Sequence, residues 1–372
     1  MTTDTITNVP LLDLQAQYEP IKDDVLAAIT EVFQSKQFIQ GPKVVALETM
    51  IKDYCGATHA IGVSSGTDAL IVSLMAMGIG HGDEVITTPF TFFATAGSIH
   101  RVGAKPVFVD IDPDTYNLNV DQIESKITPN TKAIMPVHLF GQMADMAPIM
   151  ALAKAHNLYV IEDAAQAIGA KQQVNGEWQL AGTLGDVGCF SFFPSKNLGC
   201  CGDGGVVTTN DDALAEKIRL FRTHGAKQKY YHEFVGGNFR LDPMQAAVLC
   251  VKLPHLNQQH DGRRAHADAY NAALTTVKTP VEAKGNWMIY NQYTVRTNRR
   301  DALIDHLNDR NIGNAVYYPL SLHLQDCFSY LGYSAGDFPE AEAATKEVVS
   351  LPVYSELSDA QRQYVVDAIN AF

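Results

Sequence analysis

The stretch Leu158-Tyr159-Val160-Ile161-Glu162-Asp163-Ala164-Ala165-Gln166 sets two carboxylates at the end of a short apolar run, and 33 residues after Asp163 comes Lys196, in Ser191-Phe192-Phe193-Pro194-Ser195-Lys196-Asn197. An apolar run this short, closed by polar residues, reads as a buried strand. The same kind of run recurs at 60–63, 84–88, 106–110, 133–137, 189–193 and 205–209, with amphipathic helical stretches at 68–77, 121–126 and 146–156 between them. That alternation predicts an open, mostly parallel α/β sheet, in which ligands gather beyond the carboxyl ends of the strands. Asp163, Lys196 and the turn Ser64-Ser65-Gly66-Thr67 all fall at such ends.

Working outward, the predicted helical stretch 242–274 is expected to bend at Pro254, where a backbone donor is missing. It divides the chain into a large α/β unit over 1–250 and a smaller α+β unit over 251–372. In the latter the pattern predicts strands at 291–297 and 315–318 and helices at 300–310, 339–350 and 358–371. A chain of 372 residues exceeds what one core serves, which agrees with two units. Residues 1–8 are polar enough to fray.

With 46% hydrophobic and 19% charged residues, the composition is that of an ordinary globular protein. A net charge of −13 disfavours nonspecific binding to nucleic acid or to an anionic membrane. The longest apolar run, 69–80, is too short to span a bilayer, and the first residues carry no signal pattern, so a cytoplasmic location is expected. Six scattered cysteines lack Cys-x-x-Cys spacing and read as reduced thiols, and the histidines suggest no metal site. The cluster Arg219, Arg222, His224, Lys227 and Lys229 is either a local anion site or the solvated end of a helix at 211–222.

The residues around the lysine supply a consistent chemistry. Lys196 can hold an aldehyde as a Schiff base if desolvation lowers its pKa, and Asp163 can keep a pyridine nitrogen protonated. Those are the demands of pyridoxal 5'-phosphate (PLP). Ser65, Gly66 and Thr67 open a helix and can form a phosphate cup, although Ser65 or Thr67 would equally serve as a plain helix cap. Phe92 or Phe93 could stack on the ring, while at least one of them is expected to be a core residue of the next helix. The glycine run 199–205 precedes a strand and permits a tight return of the backbone; it is not a dinucleotide fingerprint.

Taken together, Ser65-Gly66-Thr67-Asp68-Ala69-Leu70, Val137-His138-Leu139-Phe140-Gly141, Glu162 to Gln166, Ser191 to Asn197, Gly237 to Asp242 and Tyr317-Tyr318-Pro319 with His323 resemble the DegT/StrS family of PLP-dependent sugar aminotransferases. The resemblance implies the fold type I PLP-dependent transferase architecture and a homodimer with shared active sites. It implies that Lys196 carries the cofactor, Asp163 meets the ring nitrogen and Gln166 the ring oxygen. It places Phe92 on the ring face, Gly66, Thr67 and Ser191 at the phosphate, and Asn238 at the neighbouring subunit's cofactor. Arg240, Tyr318 and His323 would lie near the sugar. Lysine at 196 argues for amino transfer, since family dehydratases carry histidine there.

The implied reaction moves an amino group from L-glutamate to the C3 keto group of a nucleotide-linked sugar. The substrate is a UDP-2-acetamido-3-keto hexose or hexuluronate or a TDP-3-keto-6-deoxyhexose, for polysaccharide or surface-glycan synthesis. Amination at C4 of a 4-keto-6-deoxy sugar nucleotide is the enzymatic alternative. A PLP-binding regulatory protein of the same fold is the non-enzymatic one.

Overall fold

The computed structural model describes residues 6–372; residues 1–5, part of the stretch expected to fray, lie outside the described residues. Seven strands form the central sheet: β1 (His59–Val63), β2 (Glu84–Thr87), β3 (Lys105–Phe108), β4 (Thr131–Ile134), β5 (Tyr159–Asp163), β6 (Val187–Ser191) and β7 (Gly205–Thr209). Their spatial order is β1-β7-β6-β5-β4-β2-β3, and only β7 runs against its neighbours. The carboxyl ends of β1, β2, β5 and β6 therefore share one edge of the sheet. The mostly parallel α/β architecture expected from the sequence is the observed one.

Strands buried on both faces need apolar residues facing both ways, because successive side chains alternate. In β5, Val160 joins a core with Leu47, Ile51, Met146, Ile149 and Leu249 from helices Pro42–Cys55, Met146–His156 and Pro243–Lys252. Its neighbour Ile161 joins the opposite core, with Leu70, Val72, Leu214 and Ile218 from helices Gly66–Ala76 and Asp212–Arg222. Each such side chain contributes roughly 1.5–3 kcal/mol when fully buried. The two layers thus clamp β5 and fix the position of Asp163 at its end.

Beyond the sheet, helix Pro243–Lys252 passes through a short 3-10 turn, Leu253–His255, into helix Leu256–Ala273, so the regular helix is interrupted at Pro254, where the sequence predicts a bend. The C-terminal layer packs helices Arg300–Asn308, Pro339–Glu347 and Asp359–Asn370 around an antiparallel strand pair, Tyr293–Arg296 with Val348–Leu351. Its core extends to Phe90 and Phe108 of the sheet region. Val9 joins it as well, with its N–H donating to Asn311 O and its carbonyl accepting from Gly313 N.

Three elements differ from expectation. The helix foreseen over 339–350 stops at Glu347, and Val348 to Leu351 become a strand because pairing with Tyr293–Arg296 buries all four residues. The expected strand at 315–318 reduces to one bridge, Ala315 with Ser350. The helix at 121–126 is two 3-10 turns, Val120–Gln122 and Glu124–Lys126. No helix among the described residues is long and apolar enough to cross a membrane. The six cysteines are free thiols.

Candidate active site

Helix Gly66–Ala76 begins where β1 ends, and Ser65 caps it: its hydroxyl accepts from Asp68 N at 3.0 Å. Capping leaves part of the helix start open. The cap and the Ser65 carbonyl take the N–H groups of Asp68 and Ala69, and those of Gly66 and Thr67, at the first turn, precede any intrahelical partner. A Cβ on Gly66 would lie 2.6 Å from Ser191 Cβ. Glycine is therefore what lets the helix start meet Ser191 at the end of β6. Gly205, opening β7, approaches as closely: a Cβ there would lie 2.5 Å from the Ser65 carbonyl carbon. That close approach is the tight backbone return expected of the glycine run.

Asp163 is buried, and desolvation raises its pKa above the ordinary carboxylate value. The Thr95 hydroxyl, the Ala165 N–H and the nearby positive charge of Lys196 oppose that rise. Thr95 Oγ1 donates to Asp163 Oδ2 at 2.7 Å, and Ala165 N donates to Oδ1 at 3.3 Å. A cationic N–H set against Oδ1 would favour the ionised form further.

Lys196 follows β6 in a turn, its N–H bonded to Phe193 O at 2.8 Å. The residue is part-buried, and desolvation around its ammonium lowers its pKa to about 8, with Asp163 pulling the other way. The lysine and the acid that the sequence separates by 33 residues thus act on one another's charge. Gln166 is oriented from both sides: Phe140 N donates to its Oε1 at 2.7 Å, and its Nε2 donates to Tyr318 Oη at 3.1 Å. Burial raises the Tyr318 pKa.

Phe92 is 58% exposed at the mouth of the site, its ring 6.3 Å from that of Tyr318. The expectation of a core residue at 92 or 93 is corrected. Phe93 is also exposed and stacks on Phe328 at 5.5 Å, and the buried aromatic of this loop is Phe90. His323 is buried, with Ser321 Oγ 3.0 Å from Nδ1 and Glu342 Oε1 3.1 Å from Nε2. Both ring nitrogens are engaged within the chain, so His323 braces the segment that carries it. Desolvation depresses its pKa.

Asn238 is exposed and Arg240 part-buried, on a segment bridged to Thr223 and to Val63 of β1. Two members of the basic cluster are engaged within the chain. Arg222 turns inward to Glu48 at 2.6 Å and to Gly62 O at 3.0 Å, and Lys227 pairs with Glu216 at 3.4 Å.

Two features escaped the sequence reading. Thr95 had no signal, since nothing in a chain ties a threonine to a carboxylate 68 residues away. Glu162 proves to be a hub: its carboxylate accepts from His138 Nε2 and from the N–H groups of Gly182, Leu184 and Gly185 at 2.6–2.8 Å. Ala144 N donates to His138 Nδ1, which makes Nε2 the protonated nitrogen. This hub fixes the strand end beside Asp163.

The family model described as DegT/DnrJ/EryC1/StrS aminotransferase family matches residues 19–370. A pleiotropic regulatory protein of Geobacillus stearothermophilus is 54% identical over 370 residues, covering 98% of each chain. A UDP-N-acetyl-3-dehydro-alpha-D-glucosamine 3-aminotransferase of Acidithiobacillus ferrooxidans is 46% identical, covering 95% of each. Among solved structures, DesV of S. venezuelae, in complex with a ketimine intermediate, superposes with a TM-score of 0.95 at 41% identity, covering 98% of each chain.

Proposed function

The chain belongs to the DegT/DnrJ/EryC1/StrS aminotransferase family, and from that premise we propose that it is a PLP-dependent aminotransferase moving an amino group from L-glutamate to the C3 keto group of a nucleotide-linked sugar. The observation that carries this reading is Lys196: its amine is brought to a pKa of about 8 beside a buried Asp163. The site also fits the cofactor, because the close approach of Gly66 to Ser191 sets the open N–H groups of the helix start beside the Ser191 hydroxyl, a donor set suited to a phosphate.

PLP, when bound, supplies the electron sink for the bond broken at the amino-bearing carbon. Asp163 Oδ1 would accept the ring N–H, and the second hydrogen on Gln166 Nε2 would be available to the ring oxygen. The N–H groups of Gly66 and Thr67 with the Ser191 hydroxyl would hold the phosphate, and Phe92 would cover a ring face. Lys196 Nζ takes and returns the proton that moves between carbons, a task suited to an amine whose pKa lies near neutrality. Tyr318 and Arg240 face the sugar in this reading.

A homodimer completes it, with Asn238 serving the neighbouring subunit's site. The segment leading to Asn238 supports this, since Tyr230 is 81%, Tyr231 69% and Val235 91% exposed, a run of apolar surface of the kind that partners cover. Division into units at 1–250 and 251–372, and a cytoplasmic location, belong to the same proposal.

C3 is preferred over C4 because the Acidithiobacillus relative is named for a 3-amino transfer. A regulatory role is the second reading, favoured by the name of the 54% identical relative. Purified protein incubated with PLP, L-glutamate and, separately, UDP- and TDP-linked 3-keto and 4-keto sugars should yield a 3-amino sugar nucleotide detectable by mass. No product from any keto sugar overturns the enzyme reading, and product from 4-keto sugars alone overturns the C3 assignment.

A further inference from the structure

Thr91, in the bend before helix Ala94–Arg101, and Thr95, in its first turn, are both buried, with their hydroxyl oxygens 3.0 Å apart. Either could donate to the other from distance alone, but Asp163 decides the direction. An ionised carboxylate only accepts, so the Thr95 hydroxyl spends its single hydrogen on Asp163 Oδ2, at 2.7 Å. Thr95 can then only accept from Thr91. The two O–H groups align head to tail, Thr91 to Thr95 to Asp163, and each strengthens the next.

The two carboxylate oxygens are thereby made unequal. Oδ2 is held by a short hydroxyl bond, whereas Oδ1 receives, among the described residues, only the Ala165 N–H at 3.3 Å. The relay is anchored in turn. Pro89 O, two residues before Thr91, accepts from Leu322 N at 2.8 Å and from Ser321 Oγ at 3.2 Å, so the C-terminal layer fixes the loop that carries Thr91 and leads into the helix of Thr95.

We propose that Thr95, backed by Thr91, is a positioning residue that fixes Asp163 Oδ2 and leaves Oδ1 as the oxygen offered to the cofactor's ring nitrogen. This rests on the PLP reading above. Thr95 does not touch the ring; it acts through Asp163. Its effect must therefore depend on the ring having a nitrogen.

The test compares PLP with the analogue in which carbon replaces the ring nitrogen, binding each to the apoprotein and reading affinity by absorbance or fluorescence titration. Thr95→Val, which keeps the shape and removes the donor, should weaken PLP binding about tenfold, the effect of losing a charge-assisted hydrogen bond. Binding of the carbon analogue should be unchanged within about twofold. Thr95→Ser, which restores the hydroxyl, should recover most of the PLP affinity. Equal losses for both ligands would mean that Thr95 merely shapes the pocket and would overturn the proposal, as would no loss for either. Should Thr95→Val fail to fold, Thr91→Val must show the same ligand-dependent loss at about two- to threefold, and its absence overturns the relay. Failure of the wild-type chain to bind PLP at all sinks the functional reading itself, a result distinct from these.

Discussion

Replacing Lys196 with methionine should make the apoprotein more stable at neutral pH while removing its reactive amine. Desolvation lowers the lysine's pKa from 10.5 to about 8, the Asp163 charge opposing it. That drop corresponds to about 3 kcal/mol by which the fold disfavours the protonated side chain near pH 7. The folded-state value is depressed, so between about pH 8 and 10.5 the unfolded chain keeps a proton that the folded chain has released, and wild-type stability rises with pH through that window. Below it both states hold the proton and the full cost stands. Methionine occupies similar volume without charge, so the variant's advantage should be about 3 kcal/mol near pH 7 and fall toward zero by about pH 10.5. Urea unfolding of both apoproteins across this range measures the difference, and titrations common to the two cancel. A variant no more stable than wild type near pH 7, or an advantage that does not shrink with rising pH, refutes the placement of the Lys196 ammonium in a desolvated site.

Other perturbations test the scaffold and the helix start at Gly66. Gly66→Ala should weaken PLP binding at least about tenfold at a stability cost of about 1–3 kcal/mol, because the new methyl would meet Ser191 at 2.6 Å; an affinity within about twofold of wild type in a titration would show that this helix start is not the phosphate site. Arg222→Met should cost about 3–5 kcal/mol in urea unfolding, since Glu48 loses its partner at 2.6 Å in a largely buried setting. Glu162→Gln should cost about 3 kcal/mol or more, because the amide group turns a donor toward two of the four donors that the carboxylate accepts. A circular dichroism melt indistinguishable from wild type would remove Glu162 as the hub.

The parallel sheet, the helix interruption at Pro254 and the pairing of Asp163 with Lys196 were legible because each has a local signature: short apolar runs closed by polar residues, a proline in a helical pattern, a strand-end acid and a turn lysine. Val348 to Leu351 was misread as helix because an apolar β-branched run carries no local mark of which it will be. The pairing with Tyr293–Arg296, more than 50 residues earlier, decides it. His323 was legible as a motif member but not as a brace, since Ser321 is a neighbour whereas Glu342 reaches it only through the fold.

The sequence by itself determined the chemistry that the site can hold, because an amine, a carboxylate and a glycine turn opening a helix are properties of residue types at strand ends. Only the tertiary structure decided how those groups are tuned. The depressed lysine pKa comes from desolvation by segments remote in the chain, and the inequality of the two Asp163 oxygens comes from a threonine 68 residues away. Burial and hydrogen-bond direction are relations among distant residues, and these exist only once the chain is folded.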